Sequence, residues 1–130
     1  MRSSYSSRLA TISVSNETFI KELMQSETFS PEVASRVSGK ILEYLHYLAC
    51  RGASEKNLSQ NGSNCIIIMH ALSRRAGILD SPFEAEPALN ILLEVIHSEG
   101  MDRVYSISES EQESVNRTCR GLFRWLENTS

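Results

Sequence analysis

His46 and Cys50 stand four residues apart, and Cys65 and His70 follow five apart further along the chain. Two ligands one helical turn apart can reach one ion, and an antiparallel helix pair would bring both sets together. On paper this is a zinc site of two cysteines and two histidines. Helix geometry argues against it. At about 100° per residue, His46 and Cys50 point roughly opposite the apolar stripe of their own segment. Cys65 points into a core, and His70 lies about 140° away from it. Groups so separated on one helix rarely share an ion. The expectation is an exposed His46/Cys50 pair, a buried Cys65, and no metal or other cofactor.

Phosphate chemistry is the second candidate. His70-Ala71-Leu72, followed by Ala76-Gly77, resembles the phosphoacceptor stretch of histidine phosphotransfer domains, which are also small helical bundles. That resemblance implies His70 as a phosphate carrier and covers about eight residues. The family places a lysine and then a glycine after the leucine, where this chain has Ser73 and Arg74. Without the glycine the approach of a response regulator is crowded, and without the lysine a phosphate partner is lost. The competing reading is an exposed histidine flanking a core face. Two arginine sets could also hold phosphate: Arg74-Arg75 with Arg103, and Arg117, Arg120 and Arg124. The second set forms the better patch, because all three point away from the Val115–Leu126 stripe. Glu113, four residues before Arg117, is placed for an ion pair, so a solvated charged face competes with it.

Bond-making chemistry has no further support. The chain has no Gly-rich phosphate loop, no HExxH and no GxSxG. His97-Ser98-Glu99 are neighbours in sequence, which does not make a triad. Binding chemistry is better represented. Trp125, the only tryptophan, falls beside the apolar stripe of the last helix and reads as a core edge or an interface anchor. Tyr44 and Tyr47 flank the central helix's stripe in the same way.

The elements that would position these residues are helical. Ser30 is an N-cap, Pro31 suits the first helical position, and Gly52 suits the left-handed residue that closes a helix. Between them Val33, Val37, Ile41, Tyr44, Leu45 and Leu48 recur at three- and four-residue steps, the period of a helix burying one face. Upstream, Ser15 or Asn16 caps a short helix carrying Phe19, Ile20, Leu23 and Met24, ending near Ser26. Residues 53–63 read as a loop, because the polar run has no apolar period and Asn61-Gly62 is a turn dipeptide. A third helix is predicted over Cys65–Ala76, capped by Ser63 or Asn64 and stopped by Gly77. Asp80–Glu84 is a further start, with Ser81 and Glu84 in capping-box spacing. Pro87 then implies either a kink or a single turn at 82–85 before a main helix from Pro87 to Glu99, which is stopped by Gly100 and buries Leu89, Leu92, Leu93 and Ile96. Ser108 and Glu111 form another capping box, opening a last helix to about Glu127 with Val115, Cys119, Leu122, Phe123 and Leu126 inside. The fold expected is all-α, a single domain of four to five amphipathic helices packed as a small bundle. Its parts are a Ser-rich flexible segment over residues 1–14, a helical domain over 15–127, and a frayed end over 128–130.

Composition narrows the function classes. The chain has 130 residues, 41% hydrophobic and 22% charged, at a net charge of −3. That is a folded protein with no general attraction to nucleic acid or anionic lipid. The longest apolar run, Cys65–Met69, has five residues, far short of a bilayer span. Three widely spaced cysteines without CxxC indicate reduced thiols and a cytoplasmic location. Residues 1–16 hold six serines, two arginines and no acid, a composition shared by transit segments, uncleaved export signals and plain flexible tails. The expected function is therefore a non-catalytic protein–protein interaction or regulatory module of the adaptor, chaperone, toxin-neutralising or small-regulator kind. Its partner would be another protein or a second copy of itself. Tyr47, Trp125, the 53–63 loop and Arg117, Arg120 and Arg124 are the candidate contacts. A phosphotransfer or DNA-linked regulator using His70 or the arginine face is the alternative, and a secreted effector is a third.

Overall fold

The computed structural model describes residues 18–24, 29–78 and 87–129. Among them five helices and one hairpin follow in chain order. Helix α1 covers residues 18–23, α2 is Pro31–Cys50, α3 is Glu55–Ile78 and α4 is Ala88–Leu92. Strands β1 (Ile96–His97) and β2 (Gly100–Met101) precede α5, Glu109–Thr129. The small all-α bundle forms as expected, with the hairpin as an addition. The Ser-rich start, the Ser15/Asn16 cap and the Asp80–Glu84 start lie outside the described residues.

Helix α2 matches the sequence at both ends. The Ser30 hydroxyl accepts the Val33 N–H at 3.2 Å, with Pro31 opening the helix. At the other end Gly52 sits at φ +90°, its N–H donating to the Ala49 carbonyl while Ala53 N–H donates to Leu48. This paired closure satisfies carbonyls that the helix end would leave open. Val33, Val37, Ile41, Tyr44 and Leu45 are buried along one side.

The expected loop over 53–63 is a helix. The turn ends at Ser54, whose hydroxyl accepts the Asn57 N–H at 3.0 Å, and α3 runs on past Gly77 to Ile78. Two features account for the difference. Leu58, Gly62, Cys65, Met69 and Leu72 form a buried stripe at alternating four- and three-residue steps, with a glycine standing in it. Asparagine and glutamine side chains between them bond to one another and to α5. Asn61 Nδ2 donates to the Asn57 carbonyl at 2.9 Å, and Gln60 Nε2 to Asn64 Oδ1 at 3.3 Å. Asn64, 3% exposed, donates from its amide to Ser114 Oγ at 3.0 Å and Thr118 Oγ1 at 2.9 Å.

The expected helix over 87–99 stops after Leu92 and the chain turns into the hairpin, with Ile96 opposite Met101 and His97 opposite Gly100. Gly100 sits at φ +139°, and a Cβ there would lie 2.6 Å from Asn116 Oδ1, so no other residue fits without displacement. Side chains of helix α5 bond instead to the backbone around the hairpin. Asn116 Oδ1 accepts Met101 N–H at 3.2 Å, Gln112 Oε1 accepts Val104 N–H at 2.7 Å, and Arg120 donates to the Glu99 carbonyl at 3.2 Å. Leu93, expected inside, is 41% exposed, whereas Leu92 and Ile96 are buried.

Helix α5 begins on the expected capping box: Ser108 Oγ accepts Glu111 N–H at 3.1 Å, and Glu111 Oε1 accepts Ser108 N–H at 3.0 Å. It continues through Asn128 and Thr129, with the Thr129 hydroxyl donating to the Trp125 carbonyl. One cluster gathers the interior: Phe19 and Leu23 of α1, Ile41 and Leu45 of α2, Ile68 and Leu72 of α3, and Leu122 and Leu126 of α5. Each such side chain contributes about 1.5–3 kcal/mol by leaving water. The Ser73 hydroxyl fixes α1 to α3 by facing the carbonyls of Glu22 and Leu23 at 2.8 and 2.9 Å.

The cap makes the start of α5 acid-sensitive. The Ser108 backbone N–H, and secondarily its hydroxyl, hold the Glu111 carboxyl below its ordinary value of 4.5. A carboxyl lowered by folding stabilises above its unfolded value and loses that contribution as pH falls through the folded one. Amide protection in the first turn of α5, measured against the intrinsic exchange rate at each pH, is therefore expected to fall below about pH 4.5, ahead of the core. Glu111→Gln should remove this pH dependence, and Ser108→Ala should lower urea stability by about 1 kcal/mol.

Candidate functional site

Tyr44 and Tyr47 lie one helical turn apart near the end of α2, and Trp125 near the end of α5 comes down beside them. The Tyr44 and Trp125 ring centroids are 5.4 Å apart, and those of Tyr47 and Trp125 are 6.1 Å apart. Aromatic pairs attract within this range. The two tyrosines stack at 6.3 Å with 22° between their planes. Tyr44 is 4% exposed and Trp125 9%, while Tyr47 is 39% exposed. The result is a layered aromatic platform with its outer ring in solvent.

Gly121 makes the platform possible. A Cβ at this position would stand 2.5 Å from Tyr44 Oη; the absent side chain is the space the hydroxyl occupies. Burial, above all, raises the Tyr44 pKa well above its ordinary 10.0, with Cys65, Tyr47 and Cys119 adding to the shift and Arg124 opposing it. The phenol is neutral at physiological pH. Burial likewise pushes up the Cys65 thiol, with Cys119 adding to it, and takes Cys119 to about 12, against Arg120. Neither thiol supplies a nucleophile at neutral pH.

Cations surround the rings. Lys40 Nζ lies 5.2 Å from the Trp125 ring centroid and the Arg51 guanidinium 5.4 Å from that of Tyr47, close enough for cation–π attraction. A groove of about 570 Å³ opens against the platform between α2 and α5, with Arg51 and Arg124 on its walls. No Asp or Glu is among its lining residues.

Tyr47, Trp125 and Arg124 line one groove, and the other two arginines of the expected patch, on the same helix, are not among its lining residues. Arg120 is tied to the Glu99 carbonyl and to Glu113 Oε1, the latter at 3.2 Å. It pairs with Glu113, where the sequence suggested Arg117. Arg117 lines a different crevice, with Asn57, Asn61, Asn64 and Thr118. Within the expected loop the amides face this crevice, while Ala53 alone lines the aromatic groove. The other arginine set shares one cleft: Arg74, Arg75 and Arg103 line it with His70. His70 Nδ1 lies 3.6 Å from Glu22 Oε1. His46 and Cys50 are exposed and Cys65 is buried. Among the described residues no three of His, Cys, Asp or Glu gather as a metal site.

Sequence reasoning placed Tyr47 and Trp125 at stripe edges, which is where groove walls come from. It passed over Gly121, Lys40 and Arg51. The Gly121 signal was present, since a glycine inside a strongly amphipathic helix implies a close neighbour. Lys40 and Arg51 read as ordinary surface charges and carry no such mark. No protein-family model, curated protein or solved structure matches this chain.

Proposed function

We propose that this protein is a non-catalytic binding module of the cytoplasm, and that the α2–α5 groove receives an acidic segment of another protein carrying an apolar anchor. The observation behind this reading is the convergence of Tyr47 and Trp125, 6.1 Å apart from two helices, in a groove walled by Arg51 and Arg124 without a carboxylate. Trp, Tyr and Arg are the residues that dominate binding energy at interfaces. Charge complementarity selects the partner's sign. Arg51, already seated on the Tyr47 ring, loses little freedom when an acidic chain arrives. Free thiols at Cys50, Cys65 and Cys119 support a reducing compartment. Among the described residues no helix is long and apolar enough to cross a membrane.

Photo-crosslinking tests the reading in the native host. A photoreactive residue replacing Tyr47 should capture an acidic segment, and one replacing the exposed Ser35 of α2 should not. Arg51→Glu with Arg124→Glu should abolish the adduct while helical content is kept. The captured segment, made as a peptide, should change Trp125 fluorescence and lose about 30-fold in affinity on Tyr47→Ala. Equal capture at both positions, or capture that survives charge reversal, would overturn it. An adduct with a second copy of this chain, together with a doubled mass in solution, would replace the acidic partner by a homodimer.

A further inference from the structure

We propose a second, independent binding site in the cleft between α3 and the segment running from the β1–β2 hairpin to Ser106. It takes a small organic anion with a phosphate on a flat aromatic body, of nucleotide size. The cavity measures about 800 Å³, within the range of about 300–1,000 Å³ typical of small-ligand sites. Its apolar lining comes from Ile67 and Ala71 of α3 with Val95, Met101 and Val104. Its cations come from two places in the chain, Arg74 and Arg75 on α3 and Arg103 after β2.

Of the two carboxylates in the lining, Glu94 Oε1 lies 3.4 Å from Arg75 Nε, and the fully exposed Asp102 has its Oδ1 3.6 Å from His97 Nε2. Arg74 and Arg103 make no ion pair or hydrogen bond among the described residues. Two guanidinium forks in one cleft match the oxygens of a phosphate, which accepts paired N–H donors. Tyr105, 90% exposed, stands in the same lining. Its ring offers a flat base a stacking surface. Phosphate at the arginines and base on Tyr105 use both halves of the lining at once. None of these residues belongs to the aromatic groove.

Calorimetric titration at fixed ionic strength with adenosine 5′-monophosphate, ribose 5-phosphate and adenosine tests the assignment. The monophosphate should bind saturably, and each of the other two at least about tenfold more weakly. Arg74→Gln with Arg103→Gln should weaken the monophosphate by at least about tenfold and leave adenosine unchanged. Tyr105→Ala should bring the monophosphate down to the level of ribose 5-phosphate. All three positions are exposed, so the variants keep the fold and circular dichroism verifies it. The proposal falls if the monophosphate shows no saturable binding up to millimolar concentration, if adenosine binds as well, or if the arginine pair is without effect. Failure here leaves the α2–α5 groove untouched, because the titration reads the cleft alone.

Discussion

Asn64→Asp is expected to weaken the protein sharply at neutral pH and to recover stability in mild acid. Asn64 is 3% exposed, and its amide nitrogen faces the Ser114 carbonyl at 3.1 Å as well as the hydroxyls of Ser114 and Thr118. An aspartate keeps the shape but turns a donor into an acceptor. The Ser114 carbonyl cannot reorient within a helix. Thr118 cannot respond without giving up its bond to Asn61 Oδ1 at 3.0 Å. A buried, poorly paired carboxylate costs about 3–5 kcal/mol. Arg117, exposed at the rim of the same crevice, keeps the figure near about 3 kcal/mol. That is a large part of the roughly 5–15 kcal/mol that holds a domain folded.

The sign follows from linkage. Burial raises the folded-state pKa of the introduced carboxyl above its unfolded value of about 3.9. Stability is then present in full below that value and is lost as pH rises through the folded one. This opposes the wild-type trend at Glu111, where acid destabilises. Urea unfolding at pH 5 and pH 7 reads the difference. Equal midpoints in the variant would show that the amide cluster does not hold α3 to α5.

Gly121→Ala is expected to reverse the usual effect of that substitution. In an open helix it stabilises by about 1 kcal/mol. Here the new Cβ would stand 2.5 Å from Tyr44 Oη, with the ring carbon Cζ at 3.8 Å. Tyr44 must move, and overpacking of this kind costs about 1–3 kcal/mol. The sign therefore turns on one oxygen atom. Adding Tyr44→Phe removes that oxygen and should restore part of the loss, giving a coupling of about 1 kcal/mol or more in a double-mutant cycle. Trp125, 5.4 Å from Tyr44 by ring centroid, should report the movement through its fluorescence. Partner binding should fall with it, because the platform under the groove has shifted. A Gly121→Ala protein more stable than wild type would mean that Tyr44 does not occupy this space.

Several parts of the fold could be read directly from residue order. The Ser30 cap, the Gly52 closure and the Ser108–Glu111 box each involve residues within a few positions of one another, and all three form as expected. The misread segments depend on distant partners. Asn57, Gln60, Asn61 and Asn64 look like a loop until Ser114 and Thr118, fifty or more positions away, bond to Asn61 and Asn64. Residues 93–99 look like the rest of a helix until Asn116, Gln112 and Arg120 bond to the chain around the hairpin. The candidate groove divides in the same way. Tyr47 and Trp125 were visible as aromatic rings at the edges of buried stripes, but their meeting was not.

By itself the sequence determined the helical class, the complete α2 helix, the start of α5 and most of the apolar stripes that fill the core. Caps and apolar periods act over one or two turns, and their physics is contained in neighbouring residues. Only the tertiary structure decided where α3 begins, that the chain turns at Leu93, and which arginines share a site. A buried amide or guanidinium takes its partner from whatever helix packs opposite, and the packing of helices is a property of the assembled core.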